Sequence, residues 1–143
     1  MHTYKRGSHT RYDVKYHIVW ITKYRRPILD GVVADRVREH IREICMRNEV
    51  TILKGHISKD HLHILVSSHP TLAISRLVQK LKGASSHRLF QEFPHLRKQF
   101  WGQHLWSRGY FVATTGTVTD EIIKEYIENQ DSILPDDDFR IGS

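Results

Sequence analysis

A chain of 143 residues, 39% hydrophobic and 27% charged, has room for one domain with a buried core. No apolar run is long enough to span a membrane and no apolar leader opens the chain, so a cytoplasmic protein is expected; a single cysteine excludes an internal disulfide and a thiolate zinc site. The net charge of +6 is lopsided, with Lys5, Arg6, Arg11, Lys15, Lys23, Arg25 and Arg26 against Asp13 at the front and four aspartates against Arg140 from Asp131 on, which favours a polyanionic partner.

Residues 1–13 are polar, basic and aperiodic, and are expected to form a flexible arm. The first strand is expected over 14–22, apolar on both faces through Tyr16, Ile18 and Trp20 and through Val19 and Ile21, which suits a central position. It ends in a basic turn where Pro27 discourages further pairing. Arg25 and Arg26 in that turn read equally as phosphate contacts or as solvated arginines. Val33, Val37, Ile41, Ile44 and Cys45 recur at helical spacing over 32–48, with Cys45 on the apolar side and Asn48 as a stop. A second strand over 50–57 turns through Ser58, Lys59 and Asp60 into a third, which predicts a hairpin.

That third strand reads Lys59-Asp60-His61-Leu62-His63-Ile64-Leu65-Val66. Alternation sends His61 and His63 to one face and Leu62, Ile64 and Val66 to the other. Two imidazoles on one face can share a divalent metal, or can simply be polar residues on an open sheet.

A second helix starts near Pro70 and Thr71 and turns Ile74, Leu77, Val78 and Leu81 to the sheet. Gly83-Ala84-Ser85-Ser86 is expected to interrupt it, either as a kink or as a place where DNA or a partner backbone approaches closely. Arg76, Lys80, Lys82, His87 and Arg88 make its exposed side basic. Residues 93–103 read as a loop or short helix, 105–115 as the last strand and 117–130 as a closing helix. Trp101, Trp106, Tyr110 and Phe111 are open to two readings, base stacking or core packing. The order β-α-β-β-α-β plus a helix implies an α+β, ferredoxin-like or RRM-like antiparallel sandwich with a bare face for His61 and His63.

On the closing helix Tyr126 and Gln130 are four apart and therefore neighbours. A phenol and an amide oxygen together can serve as nucleophile and metal ligand, while Ile122, Ile123, Tyr126 and Ile127 also make a plain packing stripe.

His61-Leu62-His63 followed by Tyr126-x-x-x-Gln130 resembles the HUH single-tyrosine transposases, the small TnpA enzymes of bacterial and archaeal insertion sequences and their repeat-associated relatives. Lys15-Tyr16-His17-Ile18-Val19-Trp20, Lys23-Tyr24-Arg25-Arg26, Leu81-Lys82-Gly83-Ala84-Ser85-Ser86 and Gly109-Tyr110-Phe111 extend the resemblance over nearly the whole chain, in order. It implies a single catalytic domain over 14–130 followed by an acidic tail over 131–143. It implies Tyr126 as nucleophile, His61, His63 and Gln130 as ligands of Mg²⁺ or Mn²⁺, and Arg25, Arg26, Lys82, Gly83, Ser85 and Arg88 as DNA contacts. The substrate it implies is a hairpin-bearing single strand, cut through a 5′-phosphotyrosine by a homodimer whose sites are shared between chains. No nucleotide-binding Gly-x-x-x-x-Gly-Lys loop is present, which agrees with a transesterification that conserves bond energy. A domesticated relative that processes genomic hairpins, or a non-catalytic nucleic-acid-binding module with an idle histidine pair, are the competing expectations.

Overall fold

The computed structural model describes residues 5–6, 11–12, 14–102, 104–114 and 120–132. Four strands make one antiparallel sheet: β1 (Val14–Ile21), β2 (Thr51–Ser58), β3 (His61–Ser68) and β4 (Phe111–Thr114). Their order across the sheet is β2-β3-β1-β4, so β1 and β3 are central. In the expected arm, Lys5–Arg6 pairs with Arg11–Tyr12 as a short ribbon, and the rest of that arm lies outside the described residues. So does the acidic tail, apart from its first two residues, which end the closing helix.

Two long helices close one face. Helix α1 (Gly31–Arg47) starts where the Asp30 side chain accepts from the Gly31 amide at 3.0 Å. It buries Val33, Val37, Ile41, Ile44 and Cys45, one stripe at helical spacing. At its end the Val50 amide donates to the Cys45 carbonyl and the Glu49 amide to that of Met46, with Glu49 in the left-handed conformation. That paired bonding satisfies the last carbonyls and sends the chain straight into β2. Burial raises the Cys45 thiol to about 11, which makes it an inert packing group.

Helix α2 (Ile74–Glu92) runs unbroken through the small-residue stretch, contrary to the expected interruption. Ser85 gives the small residues another use. It is wholly buried, donates to the Leu81 carbonyl one turn back and accepts from Trp106 Nε1 at 2.9 Å. A small residue there lets the Trp106 indole reach the helix. Leu77, Val78, Leu81 and Leu89 join Ile18, Trp20, Leu62, Ile64 and Val66 in the main core. Beyond it lies α3 (Pro94–Gln99), and then an irregular stretch that replaces most of the expected last strand. Among the described residues, Phe111–Thr114 pairs with β1 as a ladder, and the chain touches its end again where Trp106 bridges Thr22 and the Ser107 amide donates to the Ile21 carbonyl; between the two, Lys82 Nζ donates to the carbonyls of Ser107 and Gly109 at 2.7 and 2.8 Å.

Helix α4 (Asp120–Ser132) lies on the opposite face of the sheet, held by a small cluster of Val19, Ile21 and Ile127 with Phe111 and Tyr126 packed around it.

Candidate functional site

The register of the central strands assembles the site. Val19 pairs with His63 and Ile21 with His61, which puts both imidazoles on the face that carries α4. The two-residue turn at Lys59 and Asp60 aligns Ser58 with His61 and His56 with His63, adding a third imidazole from β2. His17 has the parity of Val19 and supplies a fourth. Together they line a recess of about 740 Å³ whose far wall is Lys124, Ile127 and Glu128 of α4.

Asp60 fixes His61. Its Oδ1 lies 2.9 Å from His61 Nδ1, and its Oδ2 accepts from Arg25 Nε at 3.1 Å. A carboxylate accepts only, so the proton belongs on Nδ1 and the Nε2 lone pair is left for a ligand. Burial alone would raise the Asp60 carboxyl, but the bonds from His61 and Arg25 outweigh it and hold the group below its usual range. His63 meets His17 through Nε2, 3.0 Å from His17 Nδ1, with the rings 5.2 Å apart. Burial lowers the His17 imidazole and so favours its neutral, lone-pair-bearing form.

Imidazoles of this kind are groups that can ligate a divalent cation. A carboxylate-oriented imidazole beside a neutral one is a usual beginning of such a site. No group of three or more His, Cys, Asp or Glu that could hold a metal occurs among the described residues. Gln130 sits on the last turns of α4, one turn after Tyr126, but its side chain lies outside the described residues.

Tyr126 is on the same helix and the same side of the sheet. Its ring lies 5.5 Å from Phe111, and its hydroxyl is buried with no hydrogen-bond partner among the described residues. Burial pushes the phenol well above its ordinary value.

The expected DNA contacts divide. Arg25 lines the imidazole recess and is paired with Asp60. Arg26 turns the other way, its guanidinium 5.5 to 5.9 Å from the rings of Phe100, Tyr24 and Trp101. Lys82 and Gly83 line a basic cleft of about 720 Å³ on the helical side, together with Arg97 and Arg108. Burial lowers the Lys82 ammonium to about 8. Arg88 pairs with Glu43 of α1 at 3.3 Å. Ser85, enclosed against Trp106, faces no ligand surface, because the indole takes its hydroxyl.

Sequence reasoning missed His17, His56, Asp60 and Glu128. The first two carried a usable signal. A two-residue hairpin turn fixes which residues of β2 and β3 face each other, and His17 lies two residues from Val19 on the same face.

The sequence model of the IS200-like transposases matches residues 10–130. The chain is 37% identical over 126 residues to the ISDra2 transposase TnpA of Deinococcus radiodurans, covering 88% of this chain and 90% of that one. It is likewise 37% identical over 123 residues to the transposase for insertion sequence element IS200 of Salmonella typhimurium, covering 86% and 80%. A crystal structure described as a candidate transposase of Deinococcus radiodurans superposes with a TM-score of 0.83 at 38% identity, over 88% of this chain and 97% of that one. A REP-associated tyrosine transposase solved with a REP hairpin shares the fold, with a TM-score of 0.56 at 14% identity over 90% and 70%.

Proposed function

The chain belongs to the IS200-like transposases, and on that footing we propose that it cuts and rejoins single-stranded DNA at hairpin-bearing ends, with Tyr126 as nucleophile. One observation carries the reading: the helix bearing Tyr126 packs on the sheet face that presents His61 and His63. His61, His63 and the Gln130 amide would hold the cation. Bound there, Mg²⁺ or Mn²⁺ supplies positive charge against the scissile phosphate.

The remaining chemistry belongs to the chain. Tyr126 Oη attacks phosphorus, its proton passes to water, and the 3′ oxygen leaves and takes up a proton. The products are a free 3′-OH and a 5′-phosphotyrosine, and attack by a second 3′-OH reverses the step. Asp60 keeps the His61 proton on Nδ1 throughout. A phenol that is buried and raised is a poor nucleophile, so the working state requires Tyr126 to leave the Phe111 contact.

The hairpin substrate comes from the family resemblance and agrees with the hairpin bound by the REP-associated relative. Two ends have to be processed with one nucleophile per chain, which favours a homodimer with sites shared between chains. The strand order β2-β3-β1-β4 with α1 and α2 on one side supports the ferredoxin-like description of the platform.

The test is a denaturing gel of the protein with single strands from the flanks of its own gene, with and without Mn²⁺. A protein–DNA adduct that needs the metal and Tyr126 is expected. DNA binding with no adduct under any condition would leave the non-catalytic module as the better account.

A further inference from the structure

The turn after β1 has a second side, which the imidazole recess does not use. Lys23, Tyr24, Phe100, Trp101 and His104 line a separate recess of about 190 Å³ at the same end of the sheet. That is below the roughly 300–1,000 Å³ of pockets for drug-sized ligands and suits one flat ring system. Trp101 is 70% exposed, a large apolar surface left in water. Its ring meets Tyr24 edge-on at 6.4 Å, so its outer face is open.

Cations surround these rings. Arg26 lies behind all three, its Nε buried and without a hydrogen-bond partner among the described residues. Lys23 Nζ stands 5.4 Å from the Tyr24 ring. Lys23 and His104 also border the larger basic cleft that holds Arg97 and Arg108. Aromatic faces backed by guanidinium and continuous with a basic channel are how single strands are held without reading their sequence.

Backbone strain gathers at the same place. Tyr24, Arg25 and Trp101 have φ of 60°, 51° and 54°, and Glu49 is the one other non-glycine residue with positive φ among the described residues. Such conformations are disfavoured for side-chain-bearing residues and cluster where function requires them. Here they turn Tyr24 and Arg26 toward Trp101 while Arg25, between them, reaches Asp60 and through it His61.

We propose that this recess is a nucleobase pocket, in which one unpaired base of a DNA strand stacks on Trp101 while its phosphates run along the Lys23, His104 and Arg97 side. It rests on the reading above only for the identity of the strand as the enzyme's substrate. Base capture at one side of the turn and the His61 anchor at the other give the strand two fixed points on a single rigid segment.

The test measures binding alone, in EDTA, so that it stands apart from cleavage. The probes are a ten-nucleotide oligothymidine and an abasic decamer with the same phosphate backbone, titrated at moderate salt by fluorescence anisotropy. The wild-type protein should prefer the base-bearing strand by roughly 5- to 100-fold, the range that one stacked base supplies. Trp101→Ala should lose most of that preference while its affinity for the abasic strand stays within about two-fold, and Trp101→Phe should restore part of it. The preference unchanged in Trp101→Ala would overturn the pocket, whatever the gel assay shows. Tryptophan fluorescence of the unaltered protein gives a second reading, since Trp20 and Trp106 are buried. Oligothymidine should quench it and the abasic strand should not; equal quenching by both also overturns the proposal.

Discussion

The two faces of the sheet are built to different standards. One is sealed by α1 and α2 over a cluster that includes Ile18, Trp20, Leu62, Val66, Leu77 and Leu81, all at most 1% exposed. The other has, among the described residues, three buried apolar side chains, Val19, Ile21 and Ile127, beside four imidazoles. Stability therefore resides on the first face, and the proposed chemistry on the second. A helix on so small a described cluster can detach without unfolding the domain, as the proposed role of Tyr126 requires.

The largest expected effect comes from Tyr126→Phe, which should abolish covalent capture of DNA in the gel assay. Its unfolding midpoint should hold or rise, because the lost hydroxyl is a buried group with no partner among the described residues, a group that costs about 1–3 kcal/mol. Mixing Tyr126→Phe with His61→Ala should then restore cleavage at one of two sites if sites are shared between chains. No recovery, with subunit exchange shown by mass spectrometry, would place each site within one chain.

Leu81→Ala strikes the sealed face and should cost about 2–5 kcal/mol in chemical denaturation, while cleavage per folded molecule is retained. Asp60→Ala strikes the open face through an orienting group. It should weaken Mn²⁺ binding by roughly 10- to 100-fold in calorimetric titration, with a small change in stability. Ile127→Ala should have the smallest global effect, below the range for Leu81, because α4 can detach before the core opens. Amide exchange should rise along α4 and stay slow in β1 and β3. A full core-sized loss at Ile127 would erase the distinction between the faces.

Much of this division was legible in the sequence. The alternation of His61, Leu62, His63 and Ile64 assigned the faces of β3, and the stripe from Val33 to Cys45 gave α1 within a residue of its ends. The break expected at Gly83 to Ser86 does not occur; the small residues there serve a tertiary contact that local pattern cannot show, the Trp106 indole on Ser85. Beside the shortened last strand is a contact of the same sort: Lys82 takes the Ser107 and Gly109 carbonyls from 25 and 27 residues away, beyond any local pattern. Nor does spacing reveal the turn of Arg25 toward Asp60 and Arg26 toward Phe100. Consecutive arginines look alike until left-handed backbone sends them to opposite sides.

The hairpin turn at Lys59 and Asp60 restricts how this lineage can vary in length. One added residue there would shift β2 against β3 and part His56 from His63, or else bulge outward and carry Asp60 from Arg25. Either outcome disturbs the imidazole recess without touching a histidine. Insertions and fusion partners are better accommodated in the short segment between β3 and α2, whose backbone bears none of these contacts. Length at that turn is thus as constrained as the identity of the residues around it.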